Sequence, residues 1–594
     1  MIDRSTKLRW RRRFRRSKQQ VEDLGQQTEV QLERHFFTRL SRLTKVRRFM
    51  AAWLLLFVLI IGGVLYQARS LGQFYLQPTP ADGGVFTEGV LGSFRNANPL
   101  YASGSADNSV ERLVFSGLFR FDQNNNLVGE LAEGWQLDTR ETTYTVTLKE
   151  NLRWHDGEPL QADDVVFTYN MIQNQDAKSP LATSWQGIKV VEVNPRTVRF
   201  TLPSILSAFP YSLTNGIVPK HVLKDVPPSQ LRAIAFNANN PIGSGPFKWE
   251  AIEVIETSEN TREQRIALVA NNDYVGGRPK LDRFIIRTFA DEQKLIKSFE
   301  KREIVAAAGL SVASDAMKSD TNVQTYNIPL TSQVMVFFKS SSEIMGNVSI
   351  RRALAYGLNI PSILEGLGRP VLPSDAPLLK TQVGYDKSVV QKTNDIATAN
   401  KLLDEAGWVR GKDGIRVKDK RPLSFMLTTQ ANSTYDYIAK SLKDQWRGLG
   451  VDVKVLPLQD SELQQALSVH NYDALLYGIS LGADPDVFAY WHSSQADIRS
   501  ASRLNFAEYR SPVADQSLEG GRTRSDDVVR SIKYRPFLDA WRQDVPAVAL
   551  YQPRYLYVFR EPLFGFAPSE MNAGADRLNN VVNWRVRVSD QPVR

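Results

Sequence analysis

The chain is predicted to be an α/β protein of at least two lobes, preceded by a single transmembrane helix. Strand-like and helix-like segments interleave from Val85 onward, with no repeat and no low-complexity tract, which is the pattern of an α/β fold. At 594 residues the chain exceeds what one hydrophobic core usually supports. Phe49 to Tyr66 runs 18 residues without a charge. As a helix it spans about 27 Å at ~1.5 Å per residue, close to the ~30 Å hydrocarbon core.

The tail comes first. Residues 1–48 hold 15 Lys/Arg and 5 Asp/Glu, so they carry the whole formal charge of +10. The remaining chain is neutral overall, which argues against a global nucleic-acid surface, and no nucleic acid is expected as a partner. Arg9 to Arg16 (RWRRRFRR) is a basic-aromatic cluster suited to anionic headgroups or to setting topology. No apolar stretch follows Arg16 closely, so it is not a twin-arginine export signal. Val21, Leu24, Leu32, Phe36, Leu40 and Leu43 suggest an amphipathic helix running into the span. Six bases between Arg34 and Arg48 precede the apolar run, and Arg69 alone follows it before Phe94. The positive-inside rule then places the N-terminus in the cytoplasm and the large domain outside. Cleavage after Ala68-Arg69-Ser70 is the competing reading, but a 48-residue n-region is long for a signal peptide and an uncleaved anchor is favoured. Gln67 to Gly84, with Pro78, Pro80 and Gly83-Gly84, is expected as a coil linker reaching roughly 20–25 Å. The chain has no cysteine, which excludes disulfides, thiolate metal sites and N-terminal lipidation on Cys.

In the outer domain, Thr142 to Leu148 and Thr197 to Leu202 alternate as strands with one wet face do. Asp163 and Asp164 suit a helix N-terminus. Ser349 to Leu358 and Ala397 to Ala406 are amphipathic helices, the second closed by Gly407.

An ordered set of short stretches follows. Asn98-Pro99-Leu100, Leu113 to Phe119, Glu130 to Trp135 and Tyr144 to Lys149 come first. Leu152 to Gly157 (LRWHDG), Ala162 to Phe167, Gly243 to Phe247 (GSGPF) and Asn271 to Tyr274 come next. Ile350 to Ala355, Lys401 to Trp408, Tyr472 to Tyr477 and Asp484-Pro485-Asp486 close the series. In this order, over residues 85–560, they resemble the family 5 extracellular solute-binding proteins, the peptide-binding components of ABC importers. The resemblance implies a two-lobed periplasmic-binding-protein-like fold of type II. Lobe I would cover residues 85–310, with an extra subdomain at about 117–205. Lobe II would cover 311–554, and 555–594 would return to lobe I. It further implies a non-enzymatic receptor that holds a peptide or other small solute between its lobes. The receptor would pass that solute to the permease subunits of an ABC importer, with no cofactor and no metal. A membrane-anchored ligand sensor or scaffold, signalling through the basic tail, is the alternative; the span has only Gly62-Gly63 and lacks GxxxG.

The expected ligand contacts concentrate in Tyr477 to Asp486, namely Tyr477, Gly478, Ile479, Ser480, Leu481 and Asp484. In relatives an acidic residue just after this strand pairs with the ligand's amino group, because a buried ammonium needs a partner. Here Ser480-Leu481-Gly482-Ala483 carries no acid before Asp484. Asn98 and Tyr101 on the first loop, Trp185 on the extra subdomain and Phe337 or Phe338 on a second-lobe strand are further candidates, with core packing the competing role for each aromatic.

Other chemistries are set aside on their own requirements. Gly478-Ile-Ser-Leu-Gly482 spells GxSxG, but Pro485 would break the helix a nucleophile elbow needs and the only later histidine is His492. Asp122, Asn124, Asn126 and Glu130 fall near EF-hand offsets, yet Leu127 replaces the turn glycine. The five histidines form no HExxH or close pair. His155 in Trp-His-Asp-Gly sits at a turn signal. Gly243 and Gly245 are expected where a side chain would clash.

Overall fold

The computed structural model describes residues 47–258, 261–500 and 503–592. The expected amphipathic helix beginning at Val21, and nearly all of the basic tail, lie outside the described residues. The chain divides into two compact units, one holding the segment up to Thr79 together with Val588–Arg594, the other Pro80–Arg587.

In the first unit a helix spans Arg47–Tyr75. Its Phe49–Gln67 stretch has a mean hydropathy of 2.5 and is unburied throughout, as a surface meant for lipid would be. The coil linker expected from Gln67 to Gly84 is corrected here: the helix continues to Tyr75 and a strand follows at Leu76–Ala81. Between Gln67 and Tyr75 only Gly72 weakens a helix, by about 1 kcal/mol relative to Ala, and the first proline is Pro78. Pro78 and Pro80 stand two residues apart and withhold N–H donors from one strand edge only. The other edge pairs with Arg587–Pro592 in a two-stranded sheet.

The second unit is built on two large sheets. The first has seven strands in the order Val323–Pro329, Arg554–Arg560, Ala306–Leu310, Val85–Leu91, Arg283–Phe289, Thr261–Ala270, Phe247–Ser258. Val85–Leu91 lies parallel to both its neighbours. Phe86, Phe284 and Ile286 are fully buried on one side against Trp584 and Phe247. Phe289, Leu295 and Phe299 fill a smaller core with Val558.

The second sheet has six strands, in the order Leu372–Pro373, Ala547–Gln552, Ser332–Phe338, Ala474–Ser480, Ser424–Gln430, Asp452–Leu458. Its central strand Ser332–Phe338 sends Val334, Val336 and Phe338 to one core and Met335 and Phe337 to another, the period of two that a strand buried on both faces requires. Ser424–Gln430 is parallel to both Asp452–Leu458 and Ala474–Ser480. The helices Ser433–Gly448 and Asp460–Val469 make the crossovers.

The chain passes between the two sheets at Leu330-Thr331 and at Pro553, where the Leu330 N–H donates to the Pro553 carbonyl at 3.0 Å. Val323–Pro329, which the expected limit of lobe I at residue 310 would assign to lobe II, pairs antiparallel with Arg554–Arg560 in the first sheet.

Between these elements Ala132–Leu137, Thr143–Leu148, Thr197–Thr201 and Lys189–Asn194 form a separate four-stranded antiparallel sheet covered by the helix Ala162–Gln173. Tyr144, Val146 and Leu148 point inward and the intervening threonines stay half-buried. Asp164 accepts from the Gln161 N–H at 3.0 Å and the Lys220 N–H at 2.9 Å, so the acid at this helix start satisfies backbone donors. Helices at Val348–Tyr356 and Ile396–Glu405 occupy the expected places, and Gly407 follows the second at φ +82°.

Candidate ligand-binding cleft

The C-terminal ends of the parallel strands in the second sheet meet at one edge, which is where open α/β sheets place their sites. Ala474–Ser480 ends there, and Gly482 adopts φ +74° so that the chain turns away from the sheet. Both the Leu481 and Gly482 N–H groups donate to the Thr331 carbonyl, at 2.8 and 3.2 Å. Gln382 Nε2 donates to the Gly482 carbonyl at 3.0 Å. The exit of this strand is therefore pinned to the crossover between the sheets.

Asp484 forms a two-pronged ion pair with Arg530, at 2.9 and 2.7 Å, and both side chains are buried. Asp486 pairs with Arg522 at 3.1 Å, and burial nonetheless holds its carboxyl above the usual carboxylate range. The Arg522 guanidinium lies 4.0 Å from the Phe488 ring centroid. The Arg522 carbonyl accepts from both the Ser207 N–H, at 3.0 Å, and the Ser207 hydroxyl, at 2.9 Å. Ser207 follows the four-stranded sheet, so this contact joins the two halves across the cleft. On the same side burial pushes the Tyr144 phenol up to about 12, with the charges of Glu141 and Asp484 adding to it.

Three cavities bear on a ligand site, one in each half and one between them. One of about 370 Å³ lies at the sheet edge, walled by Tyr477, Gly478, Ile479 and Ser480 with Gln464, Tyr490, Arg503 and Phe506. A second, of about 600 Å³, lies between Leu202–Leu206 on one side and Phe488, Gln516, Glu519 and Arg522 on the other. A third, of about 350 Å³, is lined by Pro99, Asn108, Glu111, Arg112, Trp185, Tyr211 and Asn215.

The structure thus brings four of the expected residues, Tyr477 to Ser480, to one cavity and puts Trp185 at another, where its ring stacks on Tyr169 at 4.0 Å. Leu481 is buried directly after the strand, and Asp484 faces Arg530. Asn98, Tyr101 and Phe337 line none of these three cavities. Asn98 is fully buried, donating from Nδ2 to Asn237 at 3.0 Å and accepting from the Leu100 N–H at 3.0 Å. The Tyr101 hydroxyl donates to the Ala177 carbonyl at 2.9 Å. Phe337 is wedged between Trp491 and Phe506, with Phe338 in the opposite core near Trp446. Glu111, Arg112, Tyr211, Tyr490 and Arg503 were not singled out in the sequence; Glu111-Arg112 reads there as an ordinary surface acid-base pair on an amphipathic helix.

The motifs set aside earlier have structural work. Ser480 ends a strand, no helix starts on it, and its carbonyl accepts from the Tyr490 hydroxyl at 2.7 Å. Asp122 accepts from the Asn124 and Asn126 N–H groups at 2.8 and 2.9 Å in the turn between Phe119–Phe121 and Leu127–Gly129. Glu130 accepts from the Tyr274 hydroxyl at 2.6 Å and the Ser116 hydroxyl at 3.0 Å. His155 joins two turns: its Nε2 lies 3.1 Å from the Gly245 carbonyl and its Nδ1 accepts from the Gly243 N–H at 3.3 Å. That pairing makes Nε2 the protonated nitrogen of a neutral ring, and burial lowers its pKa to about 4.

A pH dependence follows from this histidine. The unfolded ring takes a proton below about 6.5, whereas the folded one resists until about 4, so the unfolded state binds more protons in between. Stability is expected to be unaffected by this group above pH 6.5 and to fall as the pH drops toward 4, by up to about 3 kcal/mol. Urea midpoints measured from pH 7.5 to 4.5 should show the loss. His155→Gln should flatten it; an unchanged slope in that variant would assign the loss to other groups.

Comparison with known proteins agrees with this architecture. The description of bacterial extracellular solute-binding proteins, family 5, matches residues 126–500, more than half of the chain. The oligopeptide-binding protein AppA of Bacillus subtilis is 29% identical over 498 residues, covering 82% of this chain and 89% of AppA. Its structure in complex with a nonapeptide superposes with a TM-score of 0.68 at 28% identity, over 86% of this chain and 100% of that one. NikZ of Campylobacter jejuni, solved with Ni(L-His), gives a TM-score of 0.70 at 27% identity, over 84% of this chain and 99% of that one. A two-lobed α/β fold with a cavity between its halves, and a match that runs through both sheets, together establish that the chain belongs to the family 5 bacterial extracellular solute-binding proteins, which are binding proteins and not enzymes.

Proposed function

We propose that this protein is a membrane-anchored extracytoplasmic receptor that captures a peptide or other small solute between its lobes and delivers it to the permease of an ABC importer. The observation that carries the reading is the way the two sheets are joined. Each has its own core, and the strands of one continue into the other only at Leu330-Thr331 and Pro553, beside the edge where Tyr477 to Ser480 wall a cavity. Two bodies with few covalent crossings and a cavity between them, the one flanked by Leu202–Leu206 and Arg522, can open and close around a ligand. Closure then shifts a population that ligand contacts favour.

Peptide is supported by AppA, whose structure holds a nonapeptide, while NikZ, with Ni(L-His), supports a wider ligand class. Anchoring rests on the unburied apolar helix and on the bases that precede it. Asp484 is engaged by Arg530, so Tyr477 to Ser480 contribute shape and backbone groups to the ligand more than charge.

The full chain, extracted in mild detergent and denatured, should release a peptide or small solute at near-equimolar yield, identified by mass spectrometry. Release of nothing at all, from protein that also fails to gain thermal stability with any peptide mixture, would overturn the reading. In the same preparation, carbonate-washed membranes should retain the intact chain, and a mature N-terminus near Leu71 would remove the anchor.

A further inference from the structure

We propose that this protein carries a binding site for a phosphate-type oxyanion, held between Arg352, Lys392 and Arg542 at the far end of the second sheet from Ser480. The occupant is inorganic phosphate or the phosphomonoester of a larger molecule, and the inference does not depend on what the cleft captures.

The site is a cavity of about 270 Å³. Pockets for drug-sized ligands run to ~300–1,000 Å³, so its occupant is small. Three separate elements supply the walls. Arg352 and Tyr356 come from the helix Val348–Tyr356, and Trp541 and Arg542 from the end of the helix Asp527–Asp544. Lys392 comes from the loop before the helix Ile396–Glu405. Strand register fixes the place. Val545, also in the wall, leads into Ala547, which pairs with Phe337, whereas Ser480 pairs with Ser332. Five residues of strand, roughly 17 Å at ~3.3 Å each, separate the two ends. The loop is held on both sides of Lys392. Gln391 accepts from the Ala549 N–H at 2.9 Å and donates to the Ala549 carbonyl at 2.7 Å. The Asn394 and Asp395 N–H groups donate to the Leu358 and Tyr356 carbonyls at 2.9 and 2.8 Å.

No carboxylate lines this cavity. Arg352 uses only its Nε, which donates to the Gln543 carbonyl at 2.7 Å. Its two terminal nitrogens have no partner among the described residues, and neither do the Lys392 ammonium and the Tyr356 hydroxyl. Arg542 shares Asp539 with Arg535. Arg351, beside Arg352 in the chain, is 6% exposed and donates only to carbonyls, those of Met345, Gly346, Asp544 and Val545. Burial lowers its pKa; Asp544 and Tyr509 oppose the shift and Arg352 adds to it. The neighbouring acids are engaged. Asp395 accepts from the Thr398 N–H and hydroxyl at 2.9 and 2.6 Å, and Asp544 from the Tyr509 hydroxyl at 2.7 Å. The balance left to the cavity is positive. Cations arriving from three elements suit a tetrahedral dianion, which presents an oxygen to each and fits the guanidinium fork. A carboxylate has two oxygens in one plane and does not meet all three. A divalent cation finds no charged oxygen in the wall.

The test uses the full chain in phosphatidylcholine nanodiscs, titrated calorimetrically with sodium phosphate at constant ionic strength. Saturable binding with a Kd below about 1 mM is expected. Lys392→Gln alters an exposed side chain and should weaken binding about tenfold at an unchanged melting temperature. Arg352→Gln should weaken it at least as much, and acetate should not compete. Absence of saturable binding would overturn the site. So would an affinity unchanged in Lys392→Gln, or acetate competing as well as phosphate does. Arg352→Gln also gives up the bond to Gln543, so if that variant unfolds, Lys392→Gln decides alone. Nanodiscs containing phosphatidic acid separate the sources, and both results uphold the site. A raised apparent Kd for phosphate there assigns a lipid headgroup; an unchanged one assigns a soluble phosphate.

Discussion

Replacing Arg530 by Ala is expected to destabilise the second lobe by about 3–5 kcal/mol. Arg530 and Asp484 are 6% and 7% exposed, and their two parallel hydrogen bonds leave neither charge to solvent. With the guanidinium gone, Asp484 keeps the Asp486 N–H at 2.9 Å and gains nothing in exchange. The neighbouring carboxylate of Asp486 repels it. Loss of one partner from a buried pair costs far more than loss of both, since it strands a charge in a low dielectric. The double variant Arg530→Met with Asp484→Asn should therefore recover a substantial part of the loss. Urea denaturation followed by tryptophan fluorescence suits the measurement, because Trp491 and Trp541 are buried in the same core. A cost under about 1 kcal/mol for Arg530→Ala would mean that the pair is solvated in solution. Ligand affinity should fall as well, since Asp484 fixes the segment that leaves the strand at Ser480.

Gly243→Ala is expected to cost about 3 kcal/mol or more, at or above the upper end for overpacked positions. The added methyl would lie 2.0 Å from the Val114 carbonyl oxygen and 2.7 Å from its carbon, and both are backbone atoms at the end of a helix. Neither can rotate aside. The same carbonyl accepts the Gly245 N–H at 2.8 Å, so moving it breaks a second contact. Gly157 offers the contrast: it has φ +94° with open space around it, and Ala there should cost only the strain of a left-handed residue, about 1 kcal/mol. Melting curves of the two variants should separate them clearly. Equal losses would show that the Val114 carbonyl gives way to the added methyl and that space does not limit the GSGPF turn.

Features with a short physical range could be read directly from the residues. Thr143–Leu148 and Thr197–Thr201 are strands because alternation is a property of neighbours two apart. The helix ending before Gly407 shows the same kind of signal, since a left-handed closing residue is a local demand. The apolar run from Phe49 onward needs no tertiary partner to be recognised. Gly243 and Gly245 were legible as close approaches, but what they approach, Val114, lies more than a hundred residues away.

Other features depended on partners distant in sequence. Val323–Pro329 has the pattern of a strand in either lobe, and only pairing with Arg554–Arg560 assigns it to the first sheet. Phe337 and Phe338 are equivalent in composition, yet the pleat sends one to the core around Trp491 and the other to the core around Trp446. The helix beyond Gln67 outran its expected end because composition marks where a helix must stop, at Pro78, more sharply than where it becomes optional.

From its residues alone, this chain could be read as an apolar span with a basic flank, attached to an α/β domain whose ordered motifs name a solute-binding family. Those traits are local or cumulative, and each residue votes on them independently. Which carboxylates are matched and which stand alone could come only from the fold. Asp484 finds Arg530 and Asp576 finds Arg112 across long stretches of chain. Glu111, next to a base in sequence, forms no ion pair among the described residues, while that base, Arg112, pairs with Asp576. Charge compensation is decided by distances of a few ångströms in three dimensions, and sequence separation carries no information about them.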